Sequence, residues 1–368
     1  MPLSPGSDES DHYSTDSDQQ RYSDDEDFDS QPALHEKGRS GGRGLNDNEK
    51  GRAEAKGESD GEGGGGESKG GGISDGRSGA GVGDINLIPF DDLEVLDQIG
   101  GGGVGLVYEG RYRGRAVAVK TLFDPKVDDA LKQEFMDELY VMARCNNPNV
   151  VGLEGACLKP PDLCFVMDLA DSSLFDLLHN SRLDRFTLHQ RLSMCHQVAK
   201  GLLYLHQMTP PVIHRDIKSH NVLVFNDNNS DDDIVLKLCD FGLVRTKTTA
   251  AGTPNYMAPE LFRQASFSAA VDVYAFAVLA CEIFTQQLPY RGYDPSDIAR
   301  VVIAGERPEI PALDVPAPVA DLIRRGWSGD AGERPGFEEI EETLARVIER
   351  TPRRTAMDDL DDDALFGM

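Results

Sequence analysis

Long apolar runs are missing from this 368-residue chain. The most apolar stretch, Val271 to Phe284, is interrupted by Asp272 and Glu282, which leaves it too short and too charged to span a membrane. The N-terminus, MPLSPGSDES, has neither a basic region nor an apolar core, so no secretory signal is expected, and Pro2 excludes N-myristoylation. Basic residues are scarce: 37 Lys+Arg face 64 Asp+Glu, a formal net charge of −27. That deficit argues against a surface built for nucleic acid or for anionic lipid, both of which need clustered Lys and Arg. Cysteine is limited to six residues, Cys145, Cys157, Cys164, Cys195, Cys239 and Cys281, with no CxxC pair. Most sit in apolar stretches, so they read as buried thiols in a reducing compartment rather than as a zinc site or disulfides. The expected location is the cytoplasm, with the nucleus left open.

What is present is unevenly distributed. Residues 1–84 hold 20 acids and 9 bases, net −11, together with 19 of the 38 glycines. Residues 351–368 add a net −3, which leaves −13 for residues 85–350. The first segment is Ser/Asp-rich and then Gly-rich, too poor in apolar side chains to offset its ordering entropy, so 1–84 reads as a disordered acidic extension. The acids around Ser7, Ser10, Ser14, Ser17 and Ser23 resemble acid-directed phosphosites but read first as solvated disorder. The acidic tail 351–368 reads as a frayed end, although Leu360, Leu365 and Phe366 could form a short docking motif.

Between these ends the hydrophobic period changes. Alternation predicts strands over 93–99, 104–109, 115–122, 150–157 and 163–168, with shorter ones at 222–225 and 234–238. Helical spacing predicts helices over 129–144, 174–180, 188–207, 268–285, 295–304, 317–326 and 337–349. Strands first and helices afterwards predict an α+β fold of two lobes, about 93–169 and 170–348.

Six features carry chemistry. Gly100-Gly101-Gly102-Gly103-Val104-Gly105-Leu106-Val107 fits G-x-G-x-x-G-x-V, where glycine permits a tight turn and close backbone approach to phosphates. Lys120 ends Val117-Ala118-Val119-Lys120, placed by a hairpin beneath that loop. Glu138 falls on the apolar stripe Leu131, Phe135, Leu139 and Met142, where a carboxylate is costly unless paired. It either pairs with Lys120 or reaches water at the stripe's edge. The remaining three are the segment His214-Arg215-Asp216-Ile217-Lys218-Ser219-His220-Asn221, then Asp240-Phe241-Gly242, then Ala258-Pro259-Glu260.

In this order and at these intervals the six resemble the signature set of eukaryotic-type protein kinases, over roughly 93–348. The resemblance implies a bilobal protein-kinase-like fold and transfer of the γ-phosphate of ATP, with Mg²⁺ or Mn²⁺, to hydroxyls of protein substrates, a downstream kinase among them. It implies catalytic roles for Lys120, Glu138, Asp216 and Lys218, and metal ligation by Asn221 and Asp240. ATP would be bound by Ile99, Gly100, Gly101, Gly102, Gly103, Val104, Gly105, Val107, Ala118, Lys120, Met167, Asp168, Ala170 and Leu223, with Met167 as gatekeeper and Asp168-Leu169-Ala170 as hinge. Met142, Leu153, His214 and Phe241 would form a column joining the lobes. Asp272 reads first as an N-cap, and in kinases the matching residue also tethers the catalytic loop. Arg334 resembles the arginine that pairs with Glu260.

Lys218 and Thr253, in Gly252-Thr253-Pro254, look like Ser/Thr kinases; Gly155-Ala156-Cys157, Glu306-Arg307-Pro308 and Trp327 look tyrosine-kinase-like. The mixture resembles the tyrosine-kinase-like group, near its Raf and mixed-lineage branches. A Ser/Thr kinase is therefore expected; a dual-specificity or tyrosine kinase and a pseudokinase scaffold are the alternatives. The resemblance also implies that a phosphate on Thr246, Thr248 or Thr249 can pair with Arg215 to order the activation segment, while Thr253 contacts Asp216 and Lys218. The family's usual histidine, serine and cysteine are replaced by Asn147, Val271 and Gly326, and an acidic insertion at 226–233 reads as a solvated loop.

Overall fold

The computed structural model describes residues 85–102, 105–122, 129–159, 162–179, 186–226, 234–241, 252–311 and 314–353. The expected disordered extension 1–84, most of the acidic insertion and nearly all of the tail lie outside them, as do Gly103, Val104, Gly242, Thr246, Thr248 and Thr249.

The N-lobe is an antiparallel sheet with one helix. Its strands are β1 (Leu93–Gly102), β2 (Gly105–Tyr112), β3 (Arg115–Leu122), β4 (Leu153–Cys157) and β5 (Cys164–Asp168), in the order β1-β2-β3-β5-β4. Helix α1 (Asp129–Arg144) lays Phe135, Leu139 and Met142 into the core, and the Phe135 ring meets Phe165 of β5 at 5.0 Å. The glycine run does not interrupt β1. Gly100, Gly101 and Gly102 pair with Val107, Leu106 and Gly105, so the ladder continues into the segment expected to be a loop. Gly105 is required by packing as well: a Cβ there would lie 2.0 Å from the Thr121 carbonyl oxygen of β3.

The C-lobe begins with β6 (Ser172–Ser173), α2 (Leu174–His179) and α3 (Leu188–Gln207). A capping box starts α3: the Gln190 amide donates to Thr187 Oγ1, and the Thr187 amide to Gln190 Oε1. Strands β7 (Val222–Asn226) and β8 (Ile234–Leu238) complete a three-stranded sheet in the order β6-β7-β8. The short α4 (Pro259–Phe262) precedes α5 (Ala270–Thr285), followed by α6 (Pro295–Ala304), α7 (Ala317–Gly326) and α8 (Phe337–Ile348). Every residue of α5 from Val271 to Phe284 is buried, so the other elements pack around a helix that is apolar on all sides. Gly326 lets α7 approach it: a Cβ at that position would stand 2.8 Å from Ala277 Cβ.

Two expectations need correcting. The strand expected over 150–157 starts only at Leu153, because 149–151 pairs with the other lobe: Val151 N donates to Leu238 O, and Leu238 N to Asn149 O, both at 2.9 Å. Asp272 is no N-cap; α5 begins at Ala270, and Asp272 lies inside its first turn with its carboxylate turned to the catalytic loop. The elements β6 and α4 were not anticipated, being too short to show a period.

Candidate active site

The N-lobe half of the site rests on a buried ion pair. The ladder sets Lys120 opposite Val107 on β2 and Phe165 on β5, aiming its chain beneath the β1–β2 hairpin. Its ammonium donates to Glu138 Oε1 at 2.7 Å and to Oε2 at 2.8 Å. Glu138 is only 2% exposed, so it pairs with Lys120 rather than reaching water. Asp240 Oδ1 stands 3.7 Å from the same ammonium. Burial alone would lower the Lys120 pKa, but the carboxylates of Glu138 and Asp240 outweigh it, and the net direction is upward. The lysine therefore stays charged at neutral pH.

Ala118 and Met167 are buried cross-strand neighbours, and Val107 and Leu223 are half-buried against the core. Ile99 is half-exposed. Asp168 has a second use: its carboxylate accepts from Gly152 N at 3.0 Å and from Lys237 Nζ at 2.6 Å, while its own amide donates to Gly152 O. Arg215, expected as a phosphate partner, lays its guanidinium over the Phe267 ring at 4.5 Å.

The C-lobe half is a hydrogen-bonded cluster. Asn221 Nδ2 donates to Asp216 O at 2.8 Å and to Asp216 Oδ2 at 2.9 Å. That orients the amide and leaves Asn221 Oδ1 as its acceptor atom. Lys218 Nζ lies 3.0 Å from Asp216 Oδ2 and donates to Thr253 Oγ1 at 2.8 Å. The Thr253 amide and hydroxyl in turn donate to Asp216 Oδ1 at 3.2 and 3.3 Å. Below them, Asp272 accepts from the amides of His214 and Arg215 at 2.8 Å each, and meets His206 Nε2 at 2.8 Å. His214 packs its ring against Phe241 at 5.2 Å, and Phe241, Met142 and Leu153 belong to one hydrophobic core. Arg334 grips Glu260 through two contacts of 2.6 and 2.9 Å.

A profile for the family described as "Protein tyrosine and serine/threonine kinase" matches residues 93–344. This chain belongs to that family. The kinase is similar to Serine/threonine-protein kinase CTR1 of Arabidopsis thaliana, with 38% identity over 276 residues, 72% of this chain and 33% of that protein. It is also similar to Mitogen-activated protein kinase kinase kinase 10 of Homo sapiens (39% over 274 residues, 72% and 28%) and to Mitogen-activated protein kinase kinase kinase 11 of Homo sapiens (36% over 289 residues, 75% and 34%). These relatives agree with placement in the tyrosine-kinase-like group. The kinase spans about a third of their length.

Sequence reasoning missed one network. Glu282, on buried α5, accepts from Ser219 Oγ at 2.8 Å and Tyr256 OH at 2.8 Å, and meets His179 Nε2 at 2.9 Å. It joins α2, the catalytic loop and the segment before Ala258-Pro259-Glu260. Burial, then the Glu282 charge, push the Tyr256 hydroxyl well above its ordinary pKa, so it remains a donor. The available signal was a carboxylate inside an otherwise apolar helix, which has to be paired. All six cysteines are free thiols, four of them buried. Among the described residues no helix is long and apolar enough to cross a membrane.

Proposed function

We propose that the chain is an active Ser/Thr protein kinase, with its catalytic unit over 85–350, an acidic extension before it and an acidic tail after it. The Thr253 hydroxyl, shared between Lys218 and Asp216, carries this reading, because it couples the base to the segment that would receive the substrate. Asp216 takes or orients the proton of the attacking hydroxyl. Lys218, beside it, offsets negative charge on the phosphoryl group in transit. Lys120, held by Glu138, grips the α- and β-phosphates, and the Gly100–Gly105 hairpin covers them with backbone amides. Val107, Ala118 and Leu223 sandwich adenine against Met167, while Asp168 and Ala170 contribute hinge backbone. The Asp168 amide is already spent on Gly152, so its carbonyl is the group offered there.

The donor set suits a hard divalent cation: a carboxylate at Asp240 and an amide oxygen at Asn221, oriented by its bonds to Asp216. Asn221 and Asp240 would hold this cation, which would supply positive charge to offset the negative charge developing on the phosphoryl group. Protein substrates, a downstream kinase among them, and a cytoplasmic or nuclear setting complete the proposal.

Incubation with Mg·ATP and a panel of generic protein acceptors, followed by phosphoamino-acid analysis, tests it. Phosphoserine and phosphothreonine are expected, and Asp240→Asn should lose them. Phosphotyrosine would replace the Ser/Thr reading with the tyrosine or dual-specificity one. No transfer, with wild type and Asp240→Asn alike, would leave a pseudokinase scaffold.

A further inference from the structure

A concavity opens on the C-lobe whose lining holds none of the residues assigned to phosphate transfer. It is a cleft of about 360 Å³ between the end of α5, the α5–α6 loop and residues 306–309. That volume is at the lower end of the roughly 300–1,000 Å³ typical of ligand pockets, suited to one or two side chains rather than to a large cofactor. Among the described residues, six large hydrophobic side chains are exposed. Leu288 (43%) and Tyr293 (45%) line this cleft, and Ile303 (40%) lies on the neighbouring helix α6. Apolar exposure gathered around one concavity marks an interaction site more strongly than scattered exposure does.

The cleft has a fixed shape. Its loop carries two non-glycine residues in the left-handed region, Gln286 (φ 51°) and Tyr290 (φ 58°). The Tyr290 and Tyr293 hydroxyls donate to Glu306, to its carbonyl at 3.3 Å and its Oε2 at 2.9 Å. It is also continuous with the segment that touches the base. Asn255, two residues after Thr253, donates through Nδ2 to Pro289 O at 2.8 Å. Glu282, among the lining residues, holds Tyr256 and Ser219.

Charge selects the occupant. Glu306 and Glu309 are exposed at the mouth, and Asp294 is exposed beside Tyr293. Arg307 is committed to the carbonyls of Trp327, Val302 and Glu306, at 2.9, 3.0 and 2.7 Å, and the exposed Arg300 near Tyr293 is paired with Asp297, while Arg291 is a further exposed cation among the lining residues. The Cys281 thiol donates to Glu309 O at 3.5 Å and is pushed up to about 12 by burial, so the cleft offers no reactive nucleophile.

We propose that this cleft docks the kinase's own protein substrates, through a Leu or aromatic side chain adjoined by Lys or Arg, in a segment separate from the one presented to Asp216. The proposal rests on the protein-kinase reading. Its effect is on substrate affinity and not on the transfer step, because none of its residues touches the reacting groups.

The test uses the full chain and two sets of synthetic peptides. One set contains only a Ser/Thr acceptor segment. The other joins the same acceptor, through Gly/Ser linkers of several lengths, to a panel of short segments holding Leu or Phe next to Arg. The best bipartite peptide should have a KM about tenfold below the acceptor alone, with kcat unchanged. In Leu288→Asp and in the double variant Glu306→Lys/Glu309→Lys that advantage should vanish, while turnover of the acceptor-only peptide stays at the wild-type level. High salt should shrink it as well. A panel in which no bipartite peptide outperforms its acceptor, or an advantage that survives both variants, overturns the proposal. So does a shift in oligomeric state between wild type and Leu288→Asp without any change in KM, which would assign the cleft to a second copy of the chain. Failure of the kinase reading looks different: the acceptor-only peptide would not be phosphorylated at all.

Discussion

The two halves of the active site are anchored in different ways. In the N-lobe, Lys120 reaches its position through the ladder of β3, but Glu138 meets it only because α1 lies where it does. One ion pair joins the two elements. In the C-lobe, Asp216 is held through Asn221, Lys218 and Thr253, and its loop is tied by the Asp272 carboxylate on α5 to two consecutive amides. A second buried carboxylate, Glu282, ties Ser219 and Tyr256 to the same helix. Redundant bonds to a buried helix make Asp216, the proposed base, a fixed point. The proposed phosphate grip instead depends on a single side-chain pair between a helix and a sheet, so any displacement of α1, whose buried face shares the common core, breaks it.

The largest effect expected from breaking this comparison is at the fixed point itself. Asp216→Asn should lower kcat by about 10²–10⁴-fold while Tm stays within a few degrees of wild type, because Asn keeps the shape and most hydrogen bonds. A Tm collapse in that variant would show the cluster to be structural first. Asp272→Ala should act in the opposite sense. It strands two buried amides and His206, so it should cost about 3–5 kcal/mol of stability in denaturant titration. A loss below about 1 kcal/mol would mean the loop is held by something else.

Glu138→Gln probes the singly held half. It should raise the KM for ATP and lower kcat by about tenfold in total, and cost less stability than Asp272→Ala, because Gln fills the same volume and Asp240 stays beside the Lys120 ammonium. An effect as large on stability as that of Asp272→Ala would erase the contrast between the lobes. The smallest effect expected is a pH dependence at His220, which stacks on Phe175 at 3.9 Å. Burial, and then Lys218, lower its pKa below the ordinary 6.5. The unfolded chain therefore binds the extra proton more readily. The contribution of His220 to stability is complete above pH 6.5 and is lost as the pH falls below it. An NMR titration of His220 with a midpoint at or above 6.5 would contradict this.

Much of the fold was legible in the chain because local signals agreed with one another. The helices over 188–207 and 295–304 and the strand over 115–122 all appear where their hydrophobic period placed them. The carboxylate on the stripe of α1 pointed to a buried partner, and Lys120 is that partner. Other features have no local signal. Nothing near Val150 says that it pairs with Leu238, almost ninety residues on, instead of extending β4. Nothing around Asp272 separates a helix cap from an anchor for a loop nearly sixty residues earlier. Glu282 looked like a mere interruption of an apolar helix until α2, the catalytic loop and the segment with Tyr256 converged on it.

By itself, then, the sequence determined the longer elements and singled out the residues proposed for the chemistry, because alternation, helical spacing and motif spacing act over a few residues, whereas β6 and α4 are too short to show them. The tertiary structure alone decided how the acidic side chains are used. Lys120 and Glu138 become a charged pair, Asp272 and Glu282 become anchors, and Glu306 and Glu309 are exposed around the cleft beside α5. A carboxylate's cost is set by its burial and its partners, and both are properties of the packed chain and not of its neighbours in sequence.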